Sequence, residues 1–318
     1  MTSGPNTTQL IPAIVGPTAS GKSELAIKLA LALDGEIINL DSVQVYRGIQ
    51  IATAKVPLSQ RHGVPHHLID IVEPTENFTA GEYARLAATA IKEVESRKHT
   101  ALLAGGTGFY LRALVKPLYE GPQTDLKLRE RLVSLREKRG ADHLHRMLER
   151  VDEKAATRIS PKDWSRTMRA LEVYFQTGQR ISELQPAMPP APDFASRLRV
   201  VALDPPRDEL YARINNRADE MFAGGLVEEV EWLIESGVPP TAKAFQAHGY
   251  RRVVEYLQGK RTREDALNQM KLDTRHYAKR QLSWWRAWPD VKWINRFGDN
   301  SRAFSETRDY LEDQEHHQ

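Results

Sequence analysis

Apolar positions in the first third of the chain fall into short unbroken runs separated by stretches of helical period. "LIPAIVG" (Leu10–Gly16), "GEIINLD" (ending at Asp41) and "HTALLAGGT" (ending in a turn at Gly105 and Gly106) are apolar runs bounded by turn residues, the pattern of buried strands. Between the first two, Ser23 to Leu33 places Leu25, Leu29 and Ala32 on one helical face. "FTAGEYARLAATAIKEVESRK" opens on Thr79 with Glu82 three residues later, a capping box, and continues as a helix. Alternating strands and helices predict a parallel sheet with helices on both faces.

The period then changes. From Thr124 to Gly178 the sequence predicts no strand. Leu128, Leu132 and Leu135 share one helical face, as do Leu144, Met147, Leu148 and Val151, and then Met168, Leu171 and Phe175. Four prolines between Pro186 and Pro192 read as a stiff linker. "RLRVVALD" (Arg197–Asp204) restores a buried strand, and the chain is helical from Arg207 to about Trp288. No internal repeat is visible. The expected division is a first part of the core over 1–120, a helical insertion over 121–196 and the core again over 197–318.

Composition narrows the function. The chain of 318 residues is 41% apolar, enough for a real core, and has no cysteine. Disulfides, thiol catalysis and Cys-ligated zinc are excluded. No apolar run approaches the roughly 18 residues of a membrane span, and the first ten residues show no secretory pattern, so a cytoplasmic protein without membrane contact is expected. Net charge is +3 but uneven. Residues 127–180 carry +6 and residues 241–286 carry +7, so the remainder of the chain carries −10. Two basic regions on an otherwise acidic chain point to a polyanion such as nucleic acid; solvated helix faces would give the same count.

The most specific motif is Gly16-Pro17-Thr18-Ala19-Ser20-Gly21-Lys22-Ser23, which fits G-x-x-x-x-G-K-[ST]. Glycines let backbone N–H groups turn inward around phosphate oxygens, and the following helix points its positive end at them. Lys22 adds a point charge, and the Ser23 hydroxyl is a natural Mg²⁺ ligand. The motif follows a predicted strand and opens a predicted helix, the context it requires. Taken alone it suggests a protein that binds ATP or GTP, a P-loop kinase or ATPase.

A nucleotide hydrolase adds a strand ending in a metal-holding Asp. "ALLAGGT" ends without a carboxylate, whereas "IINLDSVQVY" ends in Asp41, followed by Ser42, Val43 and Gln44. That end of a central strand is the crevice where doubly wound sheets bind ligands. The alternative reading of Asp41 is a turn cap. Gln44 carries an amide that can both donate to and accept from a base edge. A carboxylate, an amide and a phosphate cradle together suit joining a base to a pyrophosphorylated group better than hydrolysis.

"GPTASGKS", "LDSVQVYRGIQIATAK", "PHHLID" and "LLAGGTGFYLRAL" resemble, in order, the signature series of bacterial tRNA dimethylallyltransferases. "RALEVYFQTG", "RINNRADEMFAGGLVEEV", "QAHGYRRVVEYL" and "RHYAKRQLSWWR" continue it, so that the likeness covers about Ile11 to Arg286. The resemblance implies an α/β fold with a P-loop core, a parallel sheet and a helical insertion domain gripping a tRNA anticodon stem-loop. It implies transfer of a dimethylallyl group from dimethylallyl diphosphate to the exocyclic amine of the adenosine 3′ of the anticodon, in tRNAs reading codons that begin with U. A monomer using Mg²⁺ is expected.

Residue roles follow by match. Asp41 corresponds to the family's catalytic carboxylate, and Thr18, Lys22 and Ser23 to diphosphate contacts. Arg217 corresponds to the arginine that clamps the diphosphate from the opposite side, with Arg213, one helical turn away, as the alternative. Thr107 resembles a threonine near the flipped base; a helix N-cap is its other reading. RNA contacts are expected from Asp41, Ser42, Val43, Gln44, Thr107, Arg129, Ser165, Arg166 and Arg169. Arg275, Lys279 and Arg280 join them, beside Tyr277, Trp284 and Trp285, although the tryptophans are more often core. His66 and His67, adjacent on an extended segment, point apart and so make no metal pair. Two positions depart from the family: Ser165 stands where Gln or Arg is usual, and His248 where an aliphatic residue is usual. A zinc finger of the kind some eukaryotic relatives carry cannot form without cysteine. An adenylate isopentenyltransferase, which shares the loop and the Asp, is the nearest rival; the insertion and the "RHYAKRQ" block favour RNA as acceptor.

Overall fold

The computed structural model describes residues 9–116, 118–119, 121–140, 142–184 and 190–316. The chain forms two compact units, Met1–Val115 with Pro192–Gln318, and Lys116–Ala191. The boundaries fall five residues earlier than the expected 121 and 196. At the first, helix α3 continues the core to Val115; at the second, a short 3₁₀ turn at Asp193–Arg197 with buried Phe194 leads directly into a sheet strand. Two of the four linker prolines, Pro186 and Pro189, lie outside the described residues.

The larger unit begins with β1 (Ile11–Val15), α1 (Lys22–Ala32), β2 (Gly35–Leu40), β3 (His66–His67), α2 (Ala80–Ser96), β4 (Thr100–Gly105) and α3 (Gly108–Val115). The insertion follows with α4 (Leu126–Arg139), α5 (His143–Val151), α6 (Glu153–Arg158), α7 (Trp164–Thr177) and α8 (Ile181–Leu184). The larger unit resumes with β5 (Leu198–Leu203), α9 (Arg207–Ala223), α10 (Leu226–Glu235), α11 (His248–Leu257), α12 (Arg263–Arg286), β6 (Val291–Ile294) and α13 (Ser301–His316).

Its six strands form one parallel sheet in the order β3-β2-β4-β1-β5-β6. β1 is central, with Ala13 opposite Leu103 on one side and Val200 on the other, and all five of its residues are buried. Burial on both faces explains its unbroken apolar reading. Ile14, Leu25, Leu29, Leu102, Val201 and Leu203 form the main core, joined by Ile294 and Leu311. Fully burying a Leu or Ile side chain contributes about 1.5–3 kcal/mol, so this layer anchors the strand ends that carry the site. The capping box of α2 is present, with Thr79 Oγ1 accepting from the Glu82 N–H and Glu82 accepting from the Thr79 N–H.

Two edge strands, β3 and β6, escape the sequence reading; at two and four residues they are too short for a period. The insertion has a core of its own around Leu132, Leu144, Leu148, Met168 and Leu171. Phe175, expected on that apolar face, is instead 47% exposed, with its ring edge-on to Tyr174.

Candidate active site

The loop from Gly16 to Gly21 turns on residues that must adopt positive φ. Gly16 has φ 141°, and a Cβ there would lie 2.8 Å from the Leu203 carbonyl oxygen. Gly21 has φ 84° and equally little room, with the Gly298 nitrogen 2.9 Å away. Only glycine meets both demands. Lys22 opens α1 and folds back so that Nζ donates to the Pro17 carbonyl at 2.5 Å. Burial pulls the Lys22 pKa down to about 7; the charge of Asp41 opposes that fall, and Arg217 adds to it. Lys22, Asp41 and Arg217 are therefore near enough to feel one another.

Asp41 follows β2 directly. Its Oδ1 accepts from the Val43 N–H at 2.8 Å and the Gln44 N–H at 3.3 Å, so it does cap a turn. It also lines a cavity. Both readings of the residue hold at once: the turn fixes the carboxylate, and the cavity receives it. Thr107 immediately precedes α3, but its Oγ1 reaches across to accept from the Ser42 N–H at 3.1 Å, and its hydroxyl lies 3.4 Å from the Ser42 hydroxyl. Gln44 donates through Nε2 to the Thr53 carbonyl at 2.9 Å. Tyr277 of α12 hydrogen-bonds Thr107; burial, reinforced by the charge of Asp41, holds its phenol well above the usual tyrosine range.

The cavity, about 660 Å³, is lined by the loop from Thr18 to Ser23 and by Asp41, Gln44, Arg217, Tyr277 and Gln281. It lies at the C-terminal ends of β1, β2 and β4, where such sheets bind ligands. Arg217 enters it from α9, and burial pulls its pKa down, against the charges of Asp41 and Glu220. Arg213 is occupied elsewhere: it pairs with Asp299 at 2.7 Å and lies 3.6 Å over the Phe297 ring. Of the two arginines, Arg217 is the one that lines the cavity.

The remaining predicted residues are more dispersed. In the insertion, Arg129 is bound at 2.7 Å to fully buried Glu172, and Arg169 lies 3.7 Å from the same carboxylate while donating to the Pro122 carbonyl at 3.0 Å. Both are thus engaged with one buried carboxylate while remaining partly exposed. Arg166 is 67% exposed with only a 3.3 Å contact to Asp163, and Ser165 is exposed beside it. On α12, Lys279 and Arg280 are exposed. The Arg280 guanidinium lies 5.8 Å over Tyr277, and Arg275 lies 5.9 Å over Tyr211. His248 packs its ring 5.2 Å from Tyr277. Trp285 is fully buried core. His66 bonds the Val64 carbonyl through Nδ1, whereas His67 bonds buried Glu36, so the pair does diverge.

Gln281 was not singled out from the sequence. It sits on α12 with Tyr277 four residues before and Trp284 three after, a shared helical face that hydropathy alone does not mark.

The family model for IPP transferase matches residues 44–288. The tRNA dimethylallyltransferase of Solibacter usitatus is 45% identical over 289 residues, covering 90% of this chain and 93% of that protein. The tRNA dimethylallyltransferase 1 of Trichlorobacter lovleyi is 47% identical over 281 residues, covering 88% and 92%. The full-length tRNA isopentenylpyrophosphate transferase of Bacillus halodurans superposes with a TM-score of 0.72 at 36% identity, covering 97% of each chain. A eukaryotic dimethylallyltransferase solved acting on tRNA gives 0.78 at 27% identity, covering 96% of this chain and 80% of that one.

Proposed function

The chain belongs to the IPP transferase family, whose relatives above are tRNA dimethylallyltransferases, and we propose that its cavity is where a dimethylallyl group passes from its diphosphate to tRNA. The reaction is prenyl transfer to tRNA, and the enzyme is a transferase. The finer reading is that the acceptor is the exocyclic N6 amine of the adenosine 3′ of the anticodon, in tRNAs for codons beginning with U. One observation carries the assignment of the site: the phosphate loop after β1, Asp41 after β2 and Arg217 of α9 line one cavity at the C-terminal end of the sheet, with β4 between the two strands. A hydrolase would need the carboxylate to hold metal and water. Here Asp41 stands beside Thr107 and Ser42, groups suited to the edge of a base.

In this reading the diphosphate occupies the loop, with Lys22 and the Thr18 hydroxyl on one side and Arg217 on the other. Nitrogen N6 attacks the allylic carbon, the C–N bond forms, and the C–O bond to the diphosphate breaks. Negative charge grows on the leaving group, where the loop amides and two cations already point. The attacking amine becomes positive and gives a proton to Asp41. Oδ1 is tied to two backbone N–H groups, which leaves Oδ2 as the oxygen for that proton. Tyr277 lines the same cavity, and Thr107 is its hydrogen-bond partner. Ser23, an exposed hydroxyl on the cavity, is the residue that would hold Mg²⁺, which would supply charge neutralisation of the leaving group. A tRNA acceptor puts the reaction in the cytoplasm, and among the described residues no helix is long and apolar enough to cross a membrane.

The test is mass analysis of nucleosides from tRNA incubated with protein and labelled dimethylallyl diphosphate, with AMP offered in a parallel reaction. Prenylated adenosine is expected from tRNA only. Asp41→Ala should lose about 10²–10⁴-fold in transfer while keeping tRNA affinity. Label in AMP with none in tRNA would move the assignment to free nucleotides.

A further inference from the structure

Gln281 lines the cavity and is 5% exposed, yet the transfer above makes no use of it. Its side-chain amide bonds two different loops. The Thr18 N–H donates to Oε1 at 2.8 Å, and Nε2 donates to the Gly106 carbonyl at 3.0 Å. Thr18 can only donate through that N–H, and Gly106 can only accept through that oxygen, so the amide has one orientation that satisfies both. The fit is close. A Cβ on Gly106 would lie 1.9 Å from Nε2, and one on Gly108 would lie 2.1 Å from the Trp284 ring. Tyr277, Gln281 and Trp284 therefore press one face of α12 onto the turn from Gly106 to Gly108.

The two loops have separate tasks. The one after β1 holds the donor diphosphate. The one after β4 carries Thr107, which bonds Ser42 next to Asp41 on the acceptor side. Strand pairing between them ends at Val15 opposite Gly105. Beyond that point, among the described residues, Gln281 is the side chain that hydrogen-bonds both. Bond formation requires reacting atoms about 3–3.5 Å apart, and a displacement of about 1 Å can cost about 10²-fold. We propose that Gln281 is a positioning residue that sets the spacing between the donor loop and the acceptor side of the site. The inference rests on the function proposed above. The demand is for one acceptor and one donor on a side chain of this length. Glutamate supplies the acceptor but gains the donor only when protonated, and methionine supplies neither.

The test compares wild type, Gln281→Met and Gln281→Glu in steady-state transfer to tRNA from pH 6 to 8, with tRNA affinity and thermal unfolding measured on each. Gln281→Met should lower kcat by about 10–100-fold, raise the donor KM by less than that, and leave tRNA affinity within about twofold. Gln281→Glu should be similarly impaired at pH 8 and recover relative to wild type as pH falls, because the protonated acid again donates to the Gly106 carbonyl. Lys22, Asp41, Arg217 and Tyr277 face the same cavity, so the Gln281→Met to wild-type ratio over the same pH range serves as the control without a new titratable group. A kcat for Gln281→Met within about threefold of wild type overturns the proposal, as does an equal loss of tRNA affinity. If Gln281→Met does not fold, the Gln281→Glu profile decides, and a flat ratio overturns it. Loss of fold in both variants assigns Gln281 to the core and overturns it too. Wild type that leaves tRNA unmodified defeats the function reading itself, a result distinct from all of these.

Discussion

Glu36, on β2 at the opposite end of the sheet from the cavity, gives the clearest quantitative prediction. Its carboxylate is 3% exposed and accepts from Arg97 at 2.7 and 3.0 Å, while His67 and His99 approach at 2.6 and 2.8 Å. The Arg97 hydrogen bonds, aided by the histidines and opposed by burial, hold its pKa at about 2 instead of 4.5. A shift of that size corresponds to about 3 kcal/mol at neutral pH. Arg97, His67 and His99 are a quarter to nearly half exposed, so solvent screens the pairs and the expected loss for Glu36→Gln is about 2 kcal/mol. The sign follows from a folded pKa below the unfolded one. The contribution is complete above pH 4.5 and disappears as pH falls towards 2. Urea unfolding of wild type and variant at half-unit steps from pH 3 to 7 checks this. The gap in stability should be full at pH 6 and fall to roughly two-fifths of that at pH 3. A gap independent of pH would refute the argument, because it would mean the change acts through packing and not charge. Transfer activity per folded molecule should be unchanged at pH 7.

Two further outcomes separate roles in and around the site. Arg217→Gln should raise the donor KM and lower kcat, since it removes a half-buried cation from the cavity. Arg213→Gln should instead lower the melting temperature through loss of its Asp299 and Phe297 contacts, with donor KM little changed; the opposite split in kinetics and calorimetry would return the diphosphate clamp to Arg213. Affinity for tRNA should fall steeply with salt as phosphate contacts release counterions, and Arg166→Ala should reduce the slope of log K against log salt by about 1. A filter-binding slope that is flat, or unmoved by Arg166→Ala, removes that residue from the RNA interface.

The phosphate loop was legible because its chemistry is local: strand, glycines, lysine and helix follow one another within twelve residues, and the structure needs Gly16 and Gly21 for stated steric reasons. Asp41 was legible from its place at the end of a buried run. Arg217 could be named only by resemblance, and its choice over Arg213 needed the tertiary contacts of Phe297 and Asp299. Charge counting leaves the insertion underdetermined in a specific way. It cannot tell a solvated arginine from one bound to a buried carboxylate, and Glu172 engages both Arg129 and Arg169. Gln281 stayed hidden because its importance lies in two hydrogen bonds to residues 263 and 175 positions away. The edge strands were missed because, at two and four residues, they hold at most two repeats of the strand period.

The arrangement of charge explains how a phosphate loop can serve carbon transfer. The chemistry needs cations for the leaving group and an unneutralised carboxylate for the proton, within one cavity. A direct ion pair between Lys22 and Asp41 would satisfy each charge and disable both. The structure keeps them near but separately engaged: Lys22 Nζ rests on the Pro17 carbonyl, and Asp41 Oδ1 rests on the amides of Val43 and Gln44. Each is held by neutral backbone groups of its own loop, so a diphosphate can take up the lysine without displacing the carboxylate. Arg217 obeys the same rule from α9, feeling Asp41 through space while Arg213, one turn away, absorbs Asp299. In the proposed mechanism, the loop that cradles a transferred phosphoryl group in a kinase would thus cradle a departing diphosphate, with Asp41 left free to receive a proton.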